Sequence, residues 1–239
     1  MILLFLSAIA AGAIASVSGF GIGSLLTPIL GLRIGVKLAV AAVSIPHLVG
    51  TAQRCWRLRK SIDRSVLLSF GITSAIGGLV GALLHNRAES RALTIVFAGL
   101  LILAGLSQLT GFIERIRWGR SAAWVAGAAS GLFGGLVGNQ GGIRTAAMLG
   151  FEIPKESFVA TATAIALFVD GARMPVYMAV SGRELLGEWR LIGIATLGVV
   201  VGTLAGTRLL SRIAPKVFRK LIGALLLALG AWMAFQASQ

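Results

Sequence analysis

Acidic residues and cysteine are scarce in this sequence, and each shortage excludes a class of protein. The 239 residues include eight Asp or Glu against 22 Lys or Arg, and charged residues make up only 13% of the total. Soluble domains carry about 25% charged residues. The single cysteine, Cys55, rules out an intramolecular disulfide or a cysteine-based metal site. The two histidines, His47 and His85, have no acidic residue at ligand spacing, which argues against a metal centre.

Apolar residues are abundant instead. They make up 56% of the chain, and the mean hydropathy is +0.90. Several runs, among them 1–17, 66–84 and 221–237, approach or reach the roughly 20 apolar residues that cross a bilayer. The sequence therefore predicts an integral membrane protein. The net charge of +14 fits basic residues at the membrane surface better than nucleic-acid binding, because no basic stripe lies on a soluble segment.

The predicted fold is all-α and polytopic, with about eight transmembrane helices in a single domain over 1–239. The predicted spans are 2–18, 38–53, 66–84, 93–112, 121–138, 157–180, 191–208 and 218–237. The first has no basic residue before it, so we expect a retained span rather than a signal peptide. Basic loops are predicted at 54–60, 85–91, 114–120, 182–190 and 208–220. They divide equally between the two sides, so charge does not fix the membrane orientation.

Two halves of the chain, about 1–113 and 121–237, share the order of their features. A shift of 119 positions places Gly31 to Ile34 on Gly150 to Ile153, Arg54 on Arg173 and Thr51 on Asp170. A shift of 125 places Gly77, Gly81 and Gly105 on Gly202, Gly206 and Gly230. Chance alignment of two glycine-rich halves is the alternative. Internal repeats are usual in secondary transporters, which bind substrate where the repeats meet.

Two glycine clusters follow a predicted span at matching places in the halves. They are Ser18-Gly19-Phe20-Gly21-Ile22-Gly23 and Gly138-Asn139-Gln140-Gly141-Gly142. Glycine costs about 1 kcal/mol relative to alanine inside a helix. Non-helical backbone at membrane depth is tolerated only inside protein or beside a watery cavity. We therefore expect two broken or re-entrant helices, whose short restarted pieces at 21–32 and 141–150 aim N–H groups at a bound anion. The alternative is that the glycines only let helices pack closely.

Arg144 lies in the first turn of the second restarted helix. A cation there opposes the helix dipole, and a bound anion would relieve that conflict. Asn139 and Gln140 add neutral donors for oxygen atoms. These three residues are predicted to bind substrate together with the glycines Gly19, Gly21, Gly23, Gly141 and Gly142.

Asp170 stands alone as an acidic residue well inside an apolar run. Arg173 follows one turn later on the same helix face, so the two are predicted to pair. One interpretation makes Asp170 a proton-coupling carboxylate and Arg173 part of the anion site, and the other makes them a structural ion pair. Thr163 is a further candidate for substrate binding. His47 is a second candidate for proton coupling, with a packing role as the alternative.

These motifs resemble the sulfite exporter TauE/SafE family of membrane permeases, also described as domain-of-unknown-function 81. The resemblance rests on Gly19 to Gly23 followed by Pro28, and on Gly138 to Gly142 followed by Arg144. It covers the whole chain in length and layout, although the second half has Ala147 or Met148 where Pro28 would be matched. It implies a carrier in the bacterial inner membrane that moves sulfite, sulfonates or related anions, coupled to an ion gradient.

A secondary transporter for a small anion is therefore the expected function. A passive anion channel or a non-transporting scaffold subunit is the alternative, and the oligomeric state stays open, a homodimer included. An enzyme is not expected, because no zinc motif or catalytic triad spacing occurs. No cofactor is predicted, and the lack of a phosphate-binding loop argues against direct use of ATP. The expected partners are the anion, the lipid bilayer and a coupling ion such as a proton.

Overall fold

The computed structural model describes residues 1–112, 120–148, 151, 153–210 and 214–238. Within those ranges the chain forms ten α-helices and one short 3-10 turn at Arg59–Ser61, with no strand. The helices are α1 (Ile2–Ser18), α2 (Ile22–Ile34), α3 (Val36–Leu58), α4 (Arg64–Arg87), α5 (Ser90–Thr110), α6 (Arg120–Val137), α7 (Gly141–Met148), α8 (Lys155–Gly187), α9 (Trp189–Leu210) and α10 (Pro215–Ser238).

Six helices in the described part of the chain are long and apolar enough to cross a membrane, namely α3, α4, α5, α8, α9 and α10. The predicted all-helical membrane fold is thus confirmed in its coarse form. The predicted count of eight spans is not confirmed, because it included α1 and α6, which fall in a class of shorter apolar helices. The pieces predicted to be too short to cross correspond to α2, with 13 residues, and α7, with eight.

Several predicted loops are wrong because the helices continue beyond the apolar runs. Most of the loop expected at 54–60 lies inside α3, which ends at Leu58, and the loop expected from His85 begins only after Arg87. The helix α8 likewise continues to Gly187. Lys and Arg are good helix formers, and their long side chains reach out of an apolar layer from a helix end. The predicted loop at 114–120 lies almost wholly outside the described residues.

Helix pairs from opposite halves are joined at glycine contacts. The pairs α1 with α9 and α4 with α6 are the most extensive in the described part, together with α5 and α10. A methyl group added to Gly12 of α1 would collide with the Val199 carbonyl of α9, and one added to Gly77 of α4 would collide with the Ala128 carbonyl of α6. Small residues let helix backbones approach this closely in membranes.

The helices α3 and α8 pack against each other at the centre. Each also contacts a long helix from the other half, α9 in the case of α3 and α4 in the case of α8. The central segment of α3, Ala39–Ser44, is buried, as is most of Ala160–Ala166 in α8. Three of the buried charged residues described below, Arg54, Asp170 and Arg173, lie on this central pair.

Candidate functional site

Both predicted helix breaks are present, and left-handed glycines make them. The helix α1 ends at Ser18, and Gly19 (φ 77°) and Gly21 (φ 131°) separate it from α2. The helix α6 ends at Val137, and Gly138 (φ 73°) starts the connection to α7. Residues with a side chain rarely adopt such positive φ values, so the glycines are needed for the chain to leave the helix here.

The two breaks meet each other. The Gly138 carbonyl lies so close to Gly23 that a methyl group at Gly23 would collide with it. Ser24 Oγ donates to Asn139 Oδ1 at 3.4 Å, and Arg144 Nη2 donates to the Gly19 carbonyl at 3.1 Å. A residue of the second half thus binds the end of α1 in the first half.

Arg144 is buried, with only 3% of its surface exposed, and most of its donors are unused. Among the described residues, its Nε and Nη1 atoms have no hydrogen-bond partner, and neither has Asn139 Nδ2. No carboxylate in the described part of the chain forms a salt bridge with Arg144. A buried charge without a partner is costly, and a buried donor without a partner costs about 1–3 kcal/mol. The unused donors and the buried positive charge of this cluster can bind an acceptor that carries negative charge.

A small cavity lies between the breaks. Its lining combines residues of both breaks with one histidine from α3: Phe20, Gly21, Gly23, Ser24, His47, Gly138, Asn139, Gln140, Gly141 and Arg144. The space open to a water-sized sphere is about 10 Å³, roughly enough for one water molecule. In this conformation the site is closed, and an oxyanion would need the two breaks to separate.

Asp170 connects the halves beside this cavity. Its carboxylate is fully buried, and Oδ1 lies 2.7 Å from Arg173 Nη2 and accepts a 3.0 Å hydrogen bond from Arg173 Nε. The predicted pairing of the two residues is therefore confirmed. The other oxygen, Oδ2, lies 2.7 Å from His47 Nδ1 on α3. Because an ionised carboxylate only accepts hydrogen bonds, His47 donates from Nδ1, which leaves Nε2 as the nitrogen that gains or loses a proton.

Buried polar side chains cap the last carbonyls of α6. Arg173 Nη1 donates to the Gly134 carbonyl at 2.7 Å, Tyr177 Oη donates to the Gly135 carbonyl, and His85 Nδ1 lies 2.7 Å from the Leu136 carbonyl. The last four carbonyls of a helix have no partner within the helix, and water is scarce at membrane depth. These side chains satisfy the carbonyls where α6 is interrupted.

Arg54 does the same for α1. Its Nη1 donates to the Ala15 carbonyl, and its Nη2 donates to Thr51 Oγ1 at 3.3 Å. Sequence reasoning missed the side chains that cap the helix ends beside the site, namely Arg54, Tyr177 and His85. The sequence aligns Arg54 with Arg173, but the predicted span 38–53 ends before Arg54.

The structure brings most predicted site residues together, but not all. Gly142 lines a second small pocket together with Ala104 of α5. Thr163 donates to the Val159 carbonyl of its own helix at 2.8 Å. Arg173 uses all three nitrogens on Asp170 and Gly134. In the described part of the chain, no group of three or more His, Cys, Asp or Glu residues is placed to hold a metal ion.

A family model described as "Sulfite exporter TauE/SafE" matches residues 4–233. The chain belongs to this family. Neither the curated proteins nor the solved structures contain a match. TauE/SafE proteins are membrane transporters rather than enzymes, so the helices described above belong to a multi-pass membrane protein of a transport family.

Proposed function

We propose that this TauE/SafE protein is a secondary transporter for a small anion such as sulfite, a sulfonate or a related organosulfur anion, located in a bacterial inner membrane. The anion binds between the two helix breaks. One observation carries this proposal: Arg144 is buried where the breaks meet, with unpartnered Nε and Nη1 atoms beside the unpartnered amide of Asn139. Guanidinium and amide donors are the groups that recognise oxyanions in proteins.

The binding residues in this proposal are those that line or close the cavity. They are Gly19, Gly21, Gly23, Asn139, Gln140, Gly141 and Arg144. Arg173 contributes through Asp170 and the end of α6 rather than by touching the anion. Direct roles for Gly142 and Thr163 stay predictions, because both lie apart from the cavity.

We further propose that the halves are inverted or parallel repeats with the site at their interface. The helix contacts support this, because they are exchanged by the same two shifts that align the sequence. Gly12 approaches the Val199 carbonyl. The shift of 119 takes Gly12 to Gly131, and the shift of 125 takes Ser74 to Val199. Gly131 in turn approaches the Ser74 carbonyl. Gly77 approaches the Ala128 carbonyl, and its match Gly202 approaches the carbonyl of Ile9, which matches Ala128.

The Asp170–His47 pair is proposed as the coupling site. It lies between the central helices of the two halves, and His47 also lines the cavity. Uptake of a proton at His47 would change the charge beside the anion and at the contact between α3 and α8. A transporter that couples anion and proton flux needs such a group in contact with both.

Uptake of sulfite and of sulfonates into proteoliposomes, with and without a pH gradient, tests the function directly. The wild-type protein should accumulate or expel at least one of these anions against its gradient when a pH gradient is imposed. Arg144→Ala should abolish this transport because it removes the buried cation, whereas Arg33→Ala, at an exposed arginine of α2, should retain it. Equal transport by Arg144→Ala and the wild type would overturn the proposed site.

The same assay separates a carrier from a channel. In a coupled carrier, Asp170→Asn should stop uphill movement of the anion. Flux that runs only down the anion gradient, in the wild type and in Asp170→Asn alike, would identify a passive channel. A protein that neither transports nor is stabilised by any anion would be a scaffold, because a ligand that binds the native state must stabilise it.

A further inference from the structure

Arg54 and Arg173 are matched residues in different electrostatic surroundings. Arg54 plus 119 is Arg173, and Ala15 plus 119 is Gly134, so each arginine donates to the matched carbonyl at the end of α1 or α6. Both are buried, with 5% and 2% of their surfaces exposed. Three residues earlier, however, Arg173 has the carboxylate of Asp170, whereas Arg54 has only the hydroxyl of Thr51.

The charge of Arg54 is therefore not neutralised by a neighbour. No carboxylate among the described residues forms a salt bridge with Arg54, and its Nε is buried without a hydrogen-bond partner. Keeping a cation this way in a protein interior is costly, so it persists where something else compensates it. A helix C-terminus supplies part of that compensation, amounting to roughly half an elementary charge.

Arg54 also belongs to the cluster around the cavity. Thr51 Oγ1, which accepts from Arg54, lies 3.4 Å from His47 Nδ1, and His47 lines the cavity. The charges of Arg54 and Arg144 repel each other, and both are attracted by Asp170. The buried charges in this cluster are three arginines and one aspartate, which leaves two positive charges uncompensated when His47 is neutral.

We infer that Arg54 supplies the second positive charge of the anion site, and that the site is thereby suited to anions with two negative charges over anions with one. This inference rests on the proposed function of the site. Arg144 would contact the anion directly, while Arg54 acts through space across the end of α1. A doubly charged oxyanion would neutralise the cluster, whereas a singly charged sulfonate would leave one buried positive charge.

A purely structural role for Arg54 has different consequences. If Arg54 only caps α1, a carboxylate at position 51 should stabilise the protein, since Arg173 has a carboxylate partner in the same geometry. Anion binding would then be unchanged, or would change equally for all anions. The two roles are distinguished by how binding depends on the charge of the anion.

Thr51→Asp gives Arg54 the partner that Arg173 has, and Thr51→Asn of similar size provides the neutral baseline. Binding of sulfate and thiosulfate, which carry two charges, and of methanesulfonate, which carries one, is measured by calorimetry on purified protein at constant ionic strength. Relative to Thr51→Asn, Thr51→Asp should weaken binding of the doubly charged probes about tenfold or more and of methanesulfonate by a clearly smaller factor, because the lost attraction scales with the anion's charge.

Other outcomes overturn the inference in distinguishable ways. Equal binding by Thr51→Asp and Thr51→Asn, or an equal loss for all probes, removes the role of Arg54 and leaves the proposed function intact. A wild-type preference for methanesulfonate over both doubly charged probes does the same. If the wild type binds neither these three anions nor sulfite, the proposed site itself is wrong. Should Thr51→Asp fail to fold, Arg54→Gln, which removes the charge and keeps two donors, should show the same charge-dependent loss.

Discussion

The ends of α1 and α6 show how one backbone arrangement is used in two ways. In both halves a glycine break follows the helix, and a buried arginine from the next long helix caps a carbonyl in the last turn. The second half pairs its arginine with Asp170, which also reaches His47, and the first half offers only Thr51. The shared part is what an interrupted helix needs in a membrane. The part that differs, a single carboxylate and Arg144, is where we expect the specific chemistry of transport.

Removal of that carboxylate should have the largest effect. Asp170→Asn leaves Arg173 and His47 without their charged partner, and breaking a buried ion pair on one side costs about 3–5 kcal/mol. We expect a strongly lowered thermal stability in detergent and no uphill anion transport. In the first half, Thr51→Val removes two long hydroxyl contacts, to Arg54 at 3.3 Å and to His47 at 3.4 Å, and should be tolerated far better. Similar losses for both variants would mean that the halves are not distinguished by charge.

The matched glycines should respond alike. Gly77→Ala and Gly202→Ala each place a methyl group against a helix carbonyl of the opposite half. Forcing such helices apart should cost about 1–3 kcal/mol each, as overpacking does in cores. Gly99→Ala, where a methyl group meets only open space, is the control and should change stability by less. Denaturation followed by circular dichroism measures all three, and a neutral Gly202→Ala beside a damaging Gly77→Ala would contradict the matching of the halves.

His47 should matter for coupling more than for folding. His47→Gln keeps a side-chain amide that can donate to Asp170 but removes the group that takes up a proton in the proposed mechanism. We expect stability within about 1.5 kcal/mol of the wild type, since a neutral hydrogen-bonded partner remains. Uptake in proteoliposomes should lose its response to a pH gradient. A retained response to the pH gradient would mean that the coupling site is not the contact between His47 and Asp170.

Tyr177 should have the smallest effect on transport. Its hydroxyl caps the Gly135 carbonyl of α6, while the matched position in α3, Leu58, offers α1 no such hydrogen bond. Tyr177→Phe should destabilise the protein by about 1–2 kcal/mol, the cost of leaving a buried carbonyl unpaired. Leu58→Ala, near the end of α3, serves as a comparison that removes no hydrogen bond. Thermal unfolding should show a lowered stability for Tyr177→Phe, and its anion affinity should be unchanged. A loss of affinity would place Tyr177 in the site.

Local sequence signals predicted the parts of the structure that local physics controls. The helices are interrupted at both predicted glycine clusters, where Gly19, Gly21 and Gly138 have positive φ, and Asp170 and Arg173 pair one turn apart. Hydropathy alone misjudged the ends of the long helices, because it does not register that Arg54 remains helical and buried. The contact between Asp170 and His47, 123 positions apart, depends on how α3 packs against α8. No local pattern specifies such a contact.

The family is visible in local motifs, whereas the caps around the site are not. The glycine motifs with Arg144 were sufficient to identify the TauE/SafE family, and the match over residues 4–233 confirms it. The capping of α6 by His85 and Tyr177 was not foreseen, because the need for caps appears only when the helix end is known to be buried. The difference between Arg54 and Arg173 lies in their buried neighbours, a hydroxyl in one case and a carboxylate in the other, and these contacts require the structure.

The cross-half pairing of α1 with α9 has a consequence for biosynthesis. The ribosome completes α1 some 170 residues before it reaches Trp189, where α9 begins. Until then the glycine face of α1 around Gly12 lacks α9, its partner among the described residues, so lipid or the insertion machinery must shield it. The first half therefore cannot reach its final packing while it is being synthesised. The helix α1 takes up its final position only after α9 has entered the membrane.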